Sequence, residues 1–136
     1  MDVVEATVAR NRIIALAMAG GVVFLAAISG LVEIDPVPLA ARASLAVGLI
    51  GLIALVAAWR VYSTMVASIG TADLEAALAR YTTALISALA ITEGAAFLGV
   101  VCFMLGGRIE ALTGIVTHVM LTGVLWPTAE KARPAR

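Results

Sequence analysis

The sequence is short of charge. Only 13% of its 136 residues are Asp, Glu, Lys or Arg, against about 25% in an average soluble domain. Hydrophobic residues make up 62%, where about 45–50% is usual, and the mean hydropathy is +1.08. These departures exclude an ordinary soluble domain before any motif is read. The nine basic residues balance nine acids and are scattered. With no basic stripe interleaved with aromatics, nucleic-acid binding has no support. The single cysteine, Cys102, lies inside an apolar run, so neither an internal disulfide nor a cysteine metal framework can form. Its expected role is that of a small packed hydrophobe. Absent too are H-E-x-x-H, G-x-S-x-G, a P-loop, a Cys/His cluster, paired acids across spans and a polar-lined helix suited to a wide pore. No enzyme, metal or cofactor is expected.

What the chain has instead is four apolar stretches. A bilayer core is crossed by about 20 apolar residues in a helix. Ile13 to Val32, about Ala43 to Trp59, about Tyr81 to Leu105 and about Ile109 to Trp126 meet that need. The expectation is one all-α domain, a four-helix antiparallel transmembrane bundle whose short loops favour sequential neighbours. The first stretch follows Arg10 and Arg12 and includes Ala27-Ile28-Ser29, as a cleavable signal peptide would. Its apolar run is too long for one, and Asp2 and Glu5 dilute the positive start, so an uncleaved span is expected.

Orientation follows the basic residues. Arg10, Arg12, Arg60, Arg80, Lys131, Arg133 and Arg136 fall on one side of four spans, and only Arg42 and Arg108 on the other. The side with seven is expected to be cytoplasmic, which puts both termini in the cytoplasm. Outside, Glu33-Ile34-Asp35-Pro36-Val37-Pro38 is an acidic loop whose prolines end one helix and start the next. Gly106-Gly107 allows positive φ in a tight turn between spans three and four. Trp59 and Trp126 suit the interface belt, with Tyr62 and Tyr81 nearby. On the inner side the helical pattern continues past Arg60 to Ala67. It restarts near Ala72, with Thr71 as N-cap and Asp73 and Glu75 in the first turn. Helices two and three are therefore expected to extend as a cytoplasmic hairpin, the third from Ala72 to Leu105. At 1.5 Å per residue that helix is about 51 Å long, well over the roughly 30 Å a span needs. Such a hairpin could recruit a partner.

Two titratable residues fall at mid-membrane. Glu93 is twelve residues from both Tyr81 and Leu105. An ionised acid at that depth costs at least about 2.5–3.5 kcal/mol, so Glu93 must be protonated, paired or wet. It is either an ion or proton site or a polar packing contact. His118, the only histidine, lies nearly level with it across the Gly106-Gly107 hairpin, offset by about 3 Å along the axis. The two could form a carboxyl–imidazole relay if they share a seam. Otherwise His118 is satisfied by Thr92, Thr113, Thr117 or Thr122. Small residues permit close helix packing. Ala90 with Gly94, and Ala95 with Gly99, form small-x-x-x-small pairs, and Gly20, Gly21, Gly48, Gly51, Gly114 and Gly123 serve the other spans. The pattern fits packing within the chain and equally a homo-oligomer or another membrane-protein partner; the only other expected partner is the lipid bilayer.

From Arg80 to Val101 the chain reads R-Y-T-T-A-L-I-S-A-L-A-I-T-E-G-A-A-F-L-G-V-V. The E-G-A-A-F string, Glu93 to Phe97, followed by a glycine turn and the closing Trp126-Pro127-Thr128, resembles uncharacterised small bacterial four-span membrane proteins. That resemblance covers most of the chain and implies no activity. Over the same 22 residues the chain also resembles the carboxylate helix of rotary ATP synthase ring subunits, the proteolipids. There Glu93 matches the ion-carrying carboxylate and Arg80 the loop-proximal arginine. The second span has only Gly48 and Gly51 where proteolipids carry a G-x-G-x-G stripe, and Ser68-Ile69-Gly70-Thr71 stands at their polar loop. The expected function is structural or accessory. The alternative implied by the proteolipid resemblance is a proton- or cation-coupled component.

Overall fold

Two of the three long helices begin at a capping aspartate and the other at a proline. A computed structural model of the chain describes residues 2–32, 34–69 and 73–132. Helix α1 spans Val3–Ser29, and the Asp2 carboxylate accepts the Val4 N–H at its start, satisfying one of the free amide donors there. Nothing between Val3 and Arg12 breaks a helix, so α1 begins ten residues ahead of the expected span. It ends at Ser29, short of Val32, with Gly30 as C-cap. Helix α2 spans Pro38–Ala67 with Pro38 in its first turn, where the missing N–H costs nothing.

Helix α3 spans Leu74–Met104. Its N-cap is Asp73, whose Oδ1 accepts the Ala76 N–H at 2.8 Å; the expected cap, Thr71, lies with Ala72 outside the described residues. Its 31 residues rise about 47 Å, and α2 likewise runs eight residues beyond Trp59, so both outlast a span at the same end.

The fourth stretch departs from a uniform helix. Ile109–Leu112 is a 3-10 turn, and helix α4 covers only Thr113–Val124. Together they rise about 26 Å. Among the described residues, α1, α2 and α3 are long and apolar enough to cross a membrane, and Ile109–Val124 is a shorter apolar helix. A one-turn helix α5, Ala129–Ala132, follows.

Packing is not sequential. Helix α3 lies against α1, α2 and α4, while α1 and α2 do not touch among the described residues. The most apolar stretch of α3 is 50% buried, against 28% in α2 and 17% in α1. The α1–α2 connection has the reach to step across the bundle, and it passes over the α3–α4 turn. There Val37 N–H donates to Leu105 O at 2.8 Å. Gly106 takes φ +88, and a Cβ on it would lie 2.8 Å from Pro36 Cβ. Positive φ and close approach both require glycine there.

The bundle has two unlike ends. At the near end the start of α1 (Val4, Val8) shares a core with Tyr62, Tyr81, Leu85, Leu125 and Ala132, so the first and last described helices meet there. At the far end the core is small: Ala40, Val47, Cys102 and Ala111. Between the ends the exterior is apolar, with Leu16, Phe24, Leu49, Ile53, Val116 and Met120 exposed. Asn11, Ser44, Thr92, Thr117, His118 and Thr122 are buried instead. Such continuous apolar exposure marks a surface meant for lipid or partners rather than water.

Candidate functional site at the middle of α3

His118 is fully buried in α4. Its Nδ1 lies 2.8 Å from Thr92 Oγ1 of α3. Its Nε2 is buried without a hydrogen-bond partner among the described residues. The direction of this bond follows the tautomer: with Nδ1–H donating to Thr92 Oγ1, the one hydroxyl proton of Thr92 serves Leu89 O at 3.1 Å. His118 thus ties α4 to α3. The neighbouring threonines are used locally: Thr122 Oγ1 donates to His118 O at 2.9 Å, and Thr117 Oγ1 donates to Gly114 O at 3.0 Å.

Glu93 takes no part in this arrangement. Consecutive residues on an α-helix point about 100° apart. Thr92 faces His118, so Glu93 faces away, half-buried at the edge of the outer surface of α3. Among the described residues its carboxyl makes no hydrogen bond or ion pair. Nearly equal depth therefore does not produce a Glu93–His118 contact, because the two side chains lie on different faces.

The two small-residue pairs of α3 divide in the same way. Ala95 and Gly99 are buried, and a Cβ on Gly99 would collide with the Ala111 carbonyl. Ala90 and Gly94 are exposed, and nothing lies within 4 Å of where a Gly94 Cβ would be. Gly114 completes the inner contact. A Cβ on it would lie 2.7 Å from Ala95 O, and one on Gly51 would lie 2.8 Å from Gly114 N. Backbones of α2, α4 and α3 therefore touch in sequence, and the 3-10 turn before α4 passes its carbonyls between Gly48 and Gly99.

The near end holds buried polar groups that the sequence reading did not single out. Asn11, the only asparagine, is fully buried in α1, and its Nδ2 donates to Thr82 Oγ1 at 3.1 Å. Among the described residues its Oδ1 is unpartnered, as is the Oη of fully buried Tyr81. Arg12 Nε donates to Pro127 O at 3.0 Å, and its guanidinium lies 5.9 Å from the Trp126 ring centroid, close enough for a cation–π contact. The signal for Asn11 was periodicity: with Val4, Val8, Ala15 and Val22 it forms the one buried stripe of α1.

Compared with known proteins, the chain matches no family model, no curated protein and no solved structure.

Proposed function

We propose that the chain is a small multi-pass protein of the bacterial inner membrane, structural or accessory in type and without catalytic activity. In this reading it crosses the bilayer four times with both termini in the cytoplasm, so the near end is the cytoplasmic one. Arg10, Arg12, Arg60, Arg80 and Lys131 belong to that end, and Arg42 and Arg108 to the other, as the positive-inside bias requires. Arg42 and Arg60 stand 18 residues apart on α2, which is five full turns and about 27 Å. That places both on one face of the helix at nearly the thickness of a hydrocarbon core.

The observation that carries the functional reading is the outward position of Glu93 beside the open Ala90–Gly94 pair. Thr83, Ser87, Ala90, Gly94, Phe97 and Val101 follow each other at alternating steps of four and three, the spacing of a helix–helix seam. All six are exposed or half-buried. The occupant is a second copy of this chain. In a two-fold arrangement the seam meets itself, small residues let the backbones approach, and the two Glu93 carboxyls meet at equal depth, where protonated acids can bond each other. A dimer in lipid that becomes a monomer in Glu93→Gln and in Gly94→Ile supports this. A wild-type monomer at every protein-to-lipid ratio overturns it.

A proton- or cation-coupled role has one specific support, the same outward carboxyl at mid-depth without a partner among the described residues. Carbodiimide labelling at Glu93 together with proton flux lost in Glu93→Gln is the result that reading requires. Absence of both in the wild type removes it.

A further inference from the structure

A second polar site lies at the far end of the bundle. Arg42, Arg108 and Glu110 line one pocket with Ala41, Ser44 and Leu45, with a volume of about 380 Å³. Both basic residues of this end converge on it. The backbone beneath the site is anchored, while its three charged side chains are exposed and reach over it. Buried Ser44 donates to Ala40 O at 2.9 Å, and its Oγ accepts the Arg108 N–H at 2.7 Å. That bond fixes the start of the 3-10 turn against α2. Gly48 then lets the Glu110 carbonyl lie directly on α2, which sets the side chain of Glu110 at the rim. Among the described residues, Arg42, Arg108 and Glu110 form no ion pair with one another or with any other group. Among the described residues, the pocket therefore presents two guanidinium groups and one carboxylate without a charged partner, beside an apolar wall ending in exposed Leu45.

We propose that this pocket binds the headgroup of a phosphoethanolamine lipid. The inference rests on the membrane reading but not on the Glu93 seam. Two guanidinium groups recognise a phosphate diester through paired charge-assisted hydrogen bonds. The carboxylate of Glu110 would repel an additional anionic charge, whereas a primary ammonium two carbons from the phosphate complements it with N–H donors. A choline head carries the same charge without those donors and satisfies Glu110 less well. Leu45 and Ala41 lead from the pocket toward the apolar face of α2, where the acyl chains lie. Arg42 marks the hydrocarbon boundary on that face, so the headgroup is presented at its natural depth.

The test uses the full chain in mixed nanodiscs whose phosphatidylethanolamine, phosphatidylglycerol and phosphatidylcholine share the same acyl chains. Lipids retained after detergent extraction are counted by native mass spectrometry. Phosphatidylethanolamine should be retained over the other two. Glu110→Gln should erase its advantage over phosphatidylglycerol, while Arg42→Gln with Arg108→Gln should lower retention of every lipid by about tenfold or more. All three side chains are exposed, so the variants should keep wild-type helix content by circular dichroism. Equal retention of the three lipids by the wild type, or an unchanged preference in Glu110→Gln, overturns the proposal. So does full displacement by water-soluble glycerophosphoethanolamine at equal concentration, which would make the ligand a free phosphodiester. None of these readouts depends on dimerisation through Glu93.

Discussion

The two ends of the bundle are built on opposite principles. At the near end, side chains fill the space between helices: Tyr81, Leu85 and Leu89 are fully buried among residues of α1, α2 and α4. At the far end, helices are separated by almost nothing, and Gly48, Gly51, Gly99 and Gly114 bring backbone against backbone. A side chain can rotate or be trimmed, whereas a helical carbonyl cannot move without its helix. The near end should therefore tolerate change of shape better than the far end tolerates one added methyl group. In hydrocarbon this matters more than in water, because lipid tails are as apolar as leucine and association rests on packing itself.

The largest expected effect is at Gly114, which is pressed on both sides. Gly114→Val would drive new carbons into Ala95 O and against Gly51. Overpacking costs about 1–3 kcal/mol when something can give; here nothing can, so a loss at or above the top of that range is expected. Thermal unfolding in micelles should show no cooperative transition. A melting curve like the wild type would mean that α4 can slide away from α2 and α3, and the contrast between the ends would collapse.

Trimming the near end should cost less. Leu85→Ala leaves a cavity among Tyr81, Leu89 and the helices around them. The aqueous range for such a change is about 2–5 kcal/mol. Its lower part, about 2–3 kcal/mol, is expected in lipid, where the unfolded helices keep their leucines in hydrocarbon. Denaturation in mixed micelles measures it. A loss larger than that of Gly114→Val reverses the comparison.

Much of this was legible in the sequence, and the illegible part has a physical pattern. The long apolar helices, the proline start of α2, the glycine turn at Gly106 and the extension of α2 and α3 beyond the span follow from local chemistry. Local chemistry does not say which face of a helix meets which neighbour. Sequence depth put Glu93 and His118 level, but a rotation of about 100° per residue sends Thr92 inward and Glu93 outward. The same rotation divides the Ala95–Gly99 pair from the Ala90–Gly94 pair, which read identically as strings. Likewise α1 and α2 were expected side by side, and only the path of their connection over Gly106 shows them parted by α3 and α4. Asn11 went unremarked because the apolar run was read as beginning at Ile13, while the helix and its buried stripe begin earlier.

Between the two ends stands the His118–Thr92 contact. Interhelical hydrogen bonds in membranes average about 0.6 kcal/mol and reach about 1.7 at most. A double-mutant cycle with His118→Phe and Thr92→Val should return a coupling in that range. A coupling near zero would reduce His118 to a space-filling ring.

The smallest expected effect is also the sharpest comparison, since it sets two glycines of one helix against each other. Gly94 and Gly99 are five residues apart in α3. An alanine at Gly99 must push Ala111 away, and the chain should lose stability. An alanine at Gly94 meets open space and relieves the helix of a glycine, worth up to about 1 kcal/mol in stability. In micelles dilute enough to keep copies apart, Gly94→Ala should therefore unfold at or slightly above the wild-type midpoint, while Gly99→Ala unfolds below it. In concentrated bilayers the order of damage should change. If copies meet along the Glu93 seam, the added methyl group at position 94 holds two backbones apart, and Gly94→Ala should weaken energy transfer between labelled copies. Gly99→Ala should leave that transfer intact at temperatures where the chain is still folded. Equal transfer in both variants and the wild type would leave the outer face of α3 facing lipid alone, and Glu93 without a neighbour in either setting.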